Sequence, residues 1–240
     1  ILDGELIKYD WLHLHHEDFT GQFGKFWRVY KDAQWYKDDV KKQLDMAKSM
    51  GFDKVSSCKL AVAKKIKEYV IGGGFLFAMC SAPDSFDVAL AAENVDICEY
   101  MYDGDPIDPD AQNKLNYDNC LAYEYEISDI DVTNGRKVQE NNDYFVLFEF
   151  SAKWDPVPTM LCQNHERIIK GFMGQSTAFR ANKLKPNVLI MGENKSLNEV
   201  RYIHGSIGNG TWTFYGGHDP EDYRHFVGDP ATELELHPNS

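Results

Sequence analysis

Residues 72–87, GGGFLFAMCSAPDSFD, decide the fold because a strand pattern changes into a helix pattern within them. An apolar run, residues 75–79, follows three glycines and stops at a single cysteine, Cys80. Small residues then lead into a stretch typical of a helix. A short apolar run bounded by glycine favours a buried strand. The segment therefore predicts a strand, a turn at Cys80 and a helix.

The flanking segments extend this alternation of strand and helix. YDWLHLHHEDF predicts a short strand, and residues 22–52 predict an interrupted helical stretch that closes at Gly51. KLAVAKKIKEYVIGGG has apolar residues near helical spacing and a glycine cap, which predicts an amphipathic helix before the central strand. Alternating strands and helices are the pattern of a parallel α/β sheet.

The pattern changes near residue 96. CLAYEYEISDIDV alternates apolar and polar residues, TNGRK carries a turn signal, and DYFVLFEF predicts another strand. We expect an α/β domain formed by residues 1–95 and 185–240, interrupted by a β-rich insertion, residues 96–184. NVLIMGE is expected to resume the α/β pattern, and residues 199–216 predict a hairpin. A first strand at WLHLHH would leave a sheet edge uncovered, so we also expect α/β elements before Ile1.

Composition excludes several classes of function. The net charge of −13 argues against nucleic-acid binding, and no run approaches the ~18 apolar residues of a membrane span. The five cysteines are widely spaced, which argues against a disulfide framework or a zinc ribbon. The acidic stretch YMYDGDPIDPDAQ predicts an exposed loop and lacks the ligand spacing of an EF-hand. A cytoplasmic and an exported bacterial location both stay open, as do a protein partner and a homo-oligomer.

Three polar clusters follow predicted strands: HHED, Cys80 and GGHDPED. Ligands of parallel α/β sheets bind beyond the carboxyl ends of the strands, so the clusters are expected to converge. A nucleophile elbow needs small neighbours and a following helix whose dipole favours a thiolate, and Cys80 lies between Ala78 and Ala82. His218 is the candidate base and Glu221 its orienting group. The alternatives are a buried thiol at Cys80 and a helix-capping loop around His218.

Cys80, His218, Pro220 and Glu221 are similar to motif residues of the class I glutamine amidotransferase-like superfamily. That resemblance implies a flavodoxin-like fold with helices on both faces of a parallel sheet and a Cys-His-Glu triad. We expect no cofactor. WLHLHHEDFTGQFGKF, GGGFLFAMCSA and FYGGHDPEDY together resemble bacterial proteins, often from Bacteroidetes, that carry the automatic label asparagine synthetase B. This second resemblance covers most of the chain.

The chain departs from that superfamily at several positions. The family's elbow is usually Gly-x-Cys-x-Gly, and here both glycines are alanines. Two residues separate His218 from Glu221 rather than one. The Ser-Gly-Gly-x-Asp-Ser loop that serves ATP chemistry is absent from the sequence, so the synthetase label has little support.

The HLHHED cluster allows two interpretations. His13, His15 and His16 are candidate metal ligands, because His13 and His15 share one face of a strand and a His-x-His pair can bind zinc. A third ligand is not evident, so we expect no metal. In the second interpretation the cluster lines a substrate cleft together with Ser81. The other residues of this cleft are His15, His16, Glu17, Asp18, Thr20 and Gly21. Thr20 and Gly21 are candidate donors of an oxyanion hole.

The sequence therefore favours a cysteine hydrolase that acts on a small-molecule amide. Cys80 would attack the carbonyl, His218 would transfer the proton, and Glu221 would orient His218. The alternatives are a non-catalytic binding or assembly protein on the same fold, and a metal-dependent hydrolase that uses the HLHHED cluster.

Overall fold

The computed structural model describes residues 1–15, 17–22, 30–80, 82–123, 146–150, 159–161, 168–169, 175–194 and 199–216. In these ranges the protein is a mixed α/β fold. Residues 124–132 of the predicted strand CLAYEYEISDIDV lie outside them.

Among the described residues, two long helices and three shorter ones occupy the first half of the chain. Their bounds are α1 Gln34–Ser49, α2 Val55–Gly72, α3 Ala82–Ala91, α4 Tyr100–Asp103 and α5 Ala111–Lys114. The sequence predicted α2 and α3, although each begins a few residues earlier than the pattern indicated. Gly73, at φ 124°, ends α2, and Gly51, at φ 85°, follows α1. Glycine adopts this backbone conformation without steric penalty, which is why the chain turns there.

The described part of the chain has nine strands, which form a large sheet and a small one. Their bounds are β1 Trp11–Leu14, β2 Phe75–Met79, β3 Val146–Phe150, β4 Thr159–Leu161, β5 Ile168–Ile169, β6 Gln175–Ala178, β7 Leu189–Asn194, β8 Glu199–Ile207 and β9 Gly210–Tyr215. The large sheet has the order β1-β2-β9-β8-β7-β4-β5, and β3 pairs with β6 separately. β1, β2 and β9 are parallel, and the other pairs of the large sheet are antiparallel. The predicted central strand is therefore confirmed as β2.

NVLIMGE, which is expected to resume the α/β pattern, enters the large sheet as β7. β7, which begins at Leu189 of this stretch, is antiparallel to both β4 and β8. The hairpin of β8 and β9 is confirmed, with Gly208 at φ 60° in its two-residue loop. A connection of two residues permits only antiparallel strands, so the hairpin dictates the direction of β8 and hence the mixed character of the sheet. β4 and β5 fall within the predicted insertion yet belong to the large sheet; the domain division stays a prediction.

The core lies on one face of the large sheet. Leu76, Ala78, Trp212 and Phe214 are buried there, because alternate residues of a strand point to the same face. Helices α2 and α3 pack on this face, with Ile66 of α2 fully buried. The opposite face carries Trp11, Phe75, Phe77 and Tyr215, which are exposed or half-buried. Of the described helices, those that pack on the sheet therefore cover a single face, and helices on both faces stay a prediction.

Candidate functional site

The turn between β2 and α3 holds Cys80 in an unusual backbone conformation. Cys80 has φ 60°, in the left-handed region that favours glycine. A residue with a side chain pays about 1–2 kcal/mol there because its Cβ approaches the following carbonyl oxygen. The Cys80 N–H donates to the Tyr215 carbonyl at 3.1 Å, which ties the turn to the end of β9. The turn predicted at Cys80 is therefore present, and it is a strained one.

Small residues surround this turn for a packing reason. Ala78 and Ala82 are both fully buried, so a longer side chain at either position would have to displace core atoms. The Cys80 side chain is itself fully buried. α3 begins two residues after Cys80, so the turn lies at the positive end of a ten-residue helix.

The ends of three parallel strands meet beside Cys80. Leu14, the last residue of β1, pairs with Ala78. Met79, the last residue of β2, pairs with Tyr215, the last residue of β9. The segments that continue from these strands therefore leave the sheet at one edge, as the sequence predicted. His218, Glu221, His16 and Ser81 lie outside the described residues, so their proximity to Cys80 stays a prediction.

The segment after β1 is anchored to the helix that follows the elbow. The Ser85 hydroxyl donates to the Glu17 carbonyl at 2.7 Å, and Phe19 contacts Phe86 edge-on with ring centroids 5.3 Å apart. The Glu17 carboxylate accepts the His15 N–H at 2.5 Å. These contacts hold His15 and Glu17 near the first turns of α3, and both residues belong to the cleft that the sequence predicts.

Asp18 and Thr20 form a local structural unit. Burial works to raise the pKa of Asp18, but Lys59, 3.2 Å away, and the bonds from Thr20 hold that pKa below its usual range. Asp18 accepts the Thr20 N–H at 2.8 Å and also the Thr20 hydroxyl. The Thr20 carbonyl accepts the Cys98 thiol at 3.3 Å. The Thr20 N–H, a predicted oxyanion donor, is therefore engaged by Asp18.

Gly21, the other predicted oxyanion donor, serves close packing. It has φ 81°, and a Cβ at this position would lie 2.7 Å from the Ser56 Cα. The backbone of this loop thus approaches the start of α2 at a distance that only glycine permits.

The predicted histidine pair is present, with a contact to sulfur. The rings of His13 and His15 stack with centroids 6.2 Å apart, as expected for two residues on one face of a strand. The Nε2 atom of His13 lies 3.1 Å from the Sδ atom of Met79. His16 lies outside the described residues, so the metal alternative stays untested.

A second group of acidic and thiol side chains went unnoticed in the sequence. The ligand atoms of Asp96, Cys98 and Asp103 lie within 4.8 Å of one another. The Lys54 ammonium lies 2.6 Å from Asp96, 3.0 Å from Asp103 and 2.6 Å from Asp105. Burial works to lower the pKa of Lys54, but its bonds to Asp105, Asp96 and Asp103 raise that pKa overall. Lys54 therefore neutralises part of the charge of the acidic stretch YMYDGDPIDPDAQ, which contains Asp103 and Asp105.

Asp87, on the second turn of α3, is a buried carboxylate that the sequence pattern also failed to single out. Its two oxygens accept the backbone N–H groups of Leu121 and Ala122 at 2.8 and 2.9 Å. Burial raises the pKa of Asp87 to about 6, although these two bonds and the charges of Lys185 and Lys67 oppose the shift. The sequence does carry one sign of this site, an aspartate within the apolar stretch FDVALAA. A charged residue in a stretch that is buried needs hydrogen-bond partners, so Asp87 could have been singled out.

Comparisons with known proteins leave the family open. No family model matches the chain, and no curated protein matches it. Among solved structures, it is similar to a cytoplasmic protein, STM3548, from Salmonella typhimurium, with 12% sequence identity and a TM-score of 0.38. That match covers 90% of this chain, which spans 63% of the length of the Salmonella protein. Within the described residues, no helix is long and apolar enough to cross a membrane.

Proposed function

We propose that the protein is a cysteine-dependent amide hydrolase of the class I glutamine amidotransferase-like type, built on a flavodoxin-like sheet. The observation that carries the proposal is the backbone of Cys80, at φ 60°, between a central parallel strand and a helix. Strained non-glycine residues cluster at functional sites, and a nucleophile elbow is such a strand-to-helix turn. An ordinary core cysteine has no need of that conformation.

The order of the strands supports the choice of base. His218 follows Tyr215 by three residues, and the Tyr215 carbonyl accepts the Cys80 N–H. Since consecutive Cα atoms are about 3.8 Å apart, the His218 Cα is at most about 7.6 Å from that of Gly216. We therefore expect His218 to lie at the same edge of the sheet as the thiol.

The proposed reaction has two stages. The Cys80 sulfur attacks the amide carbonyl carbon after His218 accepts the thiol proton, and His218 then returns that proton to the departing amine. Water hydrolyses the resulting thioester, with His218 accepting a proton from the water and Glu221 orienting the imidazole. The backbone N–H of Ser81 is a donor for the oxyanion, because the residue after the nucleophile supplies this donor in an elbow.

A non-catalytic binding protein on the same fold is the second candidate. The observation in its favour is the full burial of the Cys80 side chain, since a nucleophile must be reached by substrate. In this alternative, Cys80 packs in the core and the edge of the sheet binds a ligand without reacting with it.

Hydrolysis assays distinguish the two functions. Purified protein is incubated with glutamine and with a panel of small primary amides, and released ammonia is measured. Cys80→Ala should abolish the release, whereas Cys58→Ala, which alters another buried thiol in α2, should leave it unchanged. If ammonia release is absent for the whole panel or is insensitive to Cys80→Ala, the binding protein becomes the better account.

A further inference from the structure

A groove between α1 and α4 lies apart from the elbow. Its volume is about 330 Å³, at the lower end of the range for small-molecule sites. Val40 and Leu44 of α1 contribute apolar surface, and Met101 and Tyr102 of α4 line the other side. Val40 and Leu44 are half-buried, so part of an apolar helix stripe faces this groove.

Lysines give the groove a positive rim. Lys31, Lys37 and Lys41 all line it, although the chain as a whole carries a charge of −13. Lys41 forms an exposed salt bridge with Asp45 at 2.7 Å. In the part of the chain that the structure describes, no carboxylate lies within salt-bridge distance of Lys37. The rim thus offers the Lys37 ammonium to a negatively charged ligand, with Lys41 shared with Asp45.

Tyr36 adds a donor that the protein itself does not use. The side chain lines the groove and is 5% exposed, and its hydroxyl has no hydrogen-bond partner among the described residues. Burial raises the pKa of Tyr36 to about 12, assisted by the charges of Asp18 and Asp39, so the hydroxyl keeps its proton at neutral pH. An unsatisfied buried donor is unfavourable and is rare in folded proteins. A ligand that brings an acceptor would relieve it.

We propose that this groove binds a small amphipathic carboxylate, whose apolar part covers Val40, Leu44 and Met101 and whose carboxylate contacts the lysine rim and the Tyr36 hydroxyl. The apolar lining formed by Val40, Leu44 and Met101 favours an organic ligand over a hydrated inorganic anion. The positive rim disfavours a protonated amine. The site is independent of Cys80 and of the proposed hydrolase activity.

The test follows the methionine methyl groups by NMR while octanoate is added below its micelle concentration. The Met101 methyl, assigned with Met101→Leu, should shift with saturation, whereas that of the distant, buried Met79 should not. Octanamide, which has the same chain without the charge, should bind about tenfold more weakly, since a charge-assisted contact is lost. Octylammonium should not bind.

Variants locate the charge and the donor. Lys37→Gln combined with Lys41→Gln should weaken octanoate binding about tenfold or more, whereas Lys64→Gln with Lys65→Gln on α2 should leave it unchanged. Tyr36→Phe should weaken binding and leave the melting temperature of the ligand-free protein equal or higher, because an unsatisfied hydroxyl is removed. Equal shifts with octanoate and octanamide, no shift of Met101, or no effect of the α1 lysine variant would each overturn the proposal and leave an ordinary solvated helix face.

Discussion

Replacing Cys80 by glycine and by alanine measures the strain at the elbow. At φ 60° a side chain is unfavourable by about 1–2 kcal/mol, and glycine removes that strain. Against this, glycine lowers stability by about 0.5–1 kcal/mol through the entropy of the unfolded chain and by about 0.8 kcal/mol through the loss of a buried methyl. The terms nearly cancel, so Cys80→Gly should be as stable as Cys80→Ala to within about 0.5 kcal/mol.

Ala78 is the matched control because it is fully buried in the same segment and lies within β2. Strain relief is not available in a strand, so Ala78→Gly should lower the free energy of unfolding by about 1.5 kcal/mol. Urea unfolding followed by circular dichroism gives both comparisons, provided that the slopes with denaturant agree. If Cys80→Gly is also less stable than Cys80→Ala by about 1.5 kcal/mol, Cys80 is not strained and the elbow argument is wrong.

Three further predictions concern the scaffold around the site. Burial raises the pKa of Asp87 to about 6, so the contribution of Asp87 to the free energy of unfolding should fall by about 3 kcal/mol as the pH rises from about 4 to about 6, and stay level above pH 6. Urea titrations at several pH values should show this fall for the wild type and not for Asp87→Asn. An identical pH profile for wild type and variant would contradict it. Lys54→Met should lower the free energy of unfolding at neutral pH by about 2 kcal/mol, which thermal unfolding would show as a lower melting temperature. Acid should partly restore the stability, because Asp103 and its neighbours then lose their charge. A loss of stability that does not depend on pH would argue against this. Gly205→Ala should lower stability by about 1–3 kcal/mol in urea titrations, since its Cβ would lie 2.3 Å from the Trp212 ring, and a neutral change would show that the ring moves freely.

The sequence predicted the first half of the fold well because the signals there are local. The helical periodicity of α2, the glycine at its end and the apolar run of β2 each specify one element. The sequence left the direction of β7 open because it depends on pairing with β8, and a run such as NVLIMGE fits a parallel and an antiparallel neighbour equally. The local sequence of a strand does not show which distant segment it pairs with.

The candidate site was predictable in outline for a similar reason. Strand ends placed Cys80 beside the segment after β1, and small residues indicated a tight turn. The positive φ of Cys80 and its full burial could not be predicted, since both depend on how the core packs around the turn. The use of the Thr20 N–H by Asp18 was also hidden, although an Asp two residues before a Thr allows such a local bond.

The rate at which each thiol reacts tests the central claim most directly. Native protein is treated briefly with limiting iodoacetamide near pH 7 and digested, and each cysteine peptide is quantified, with a urea-unfolded sample as the control for full reactivity. Burial raises the pKa of Cys58, Cys98 and Cys120, so these thiols should react slowly. The account predicts that Cys80 is labelled first and that His218→Ala slows its labelling. If Cys80 stays unlabelled while other cysteines react, or if His218→Ala has no effect, Cys80 is a core residue and not a nucleophile.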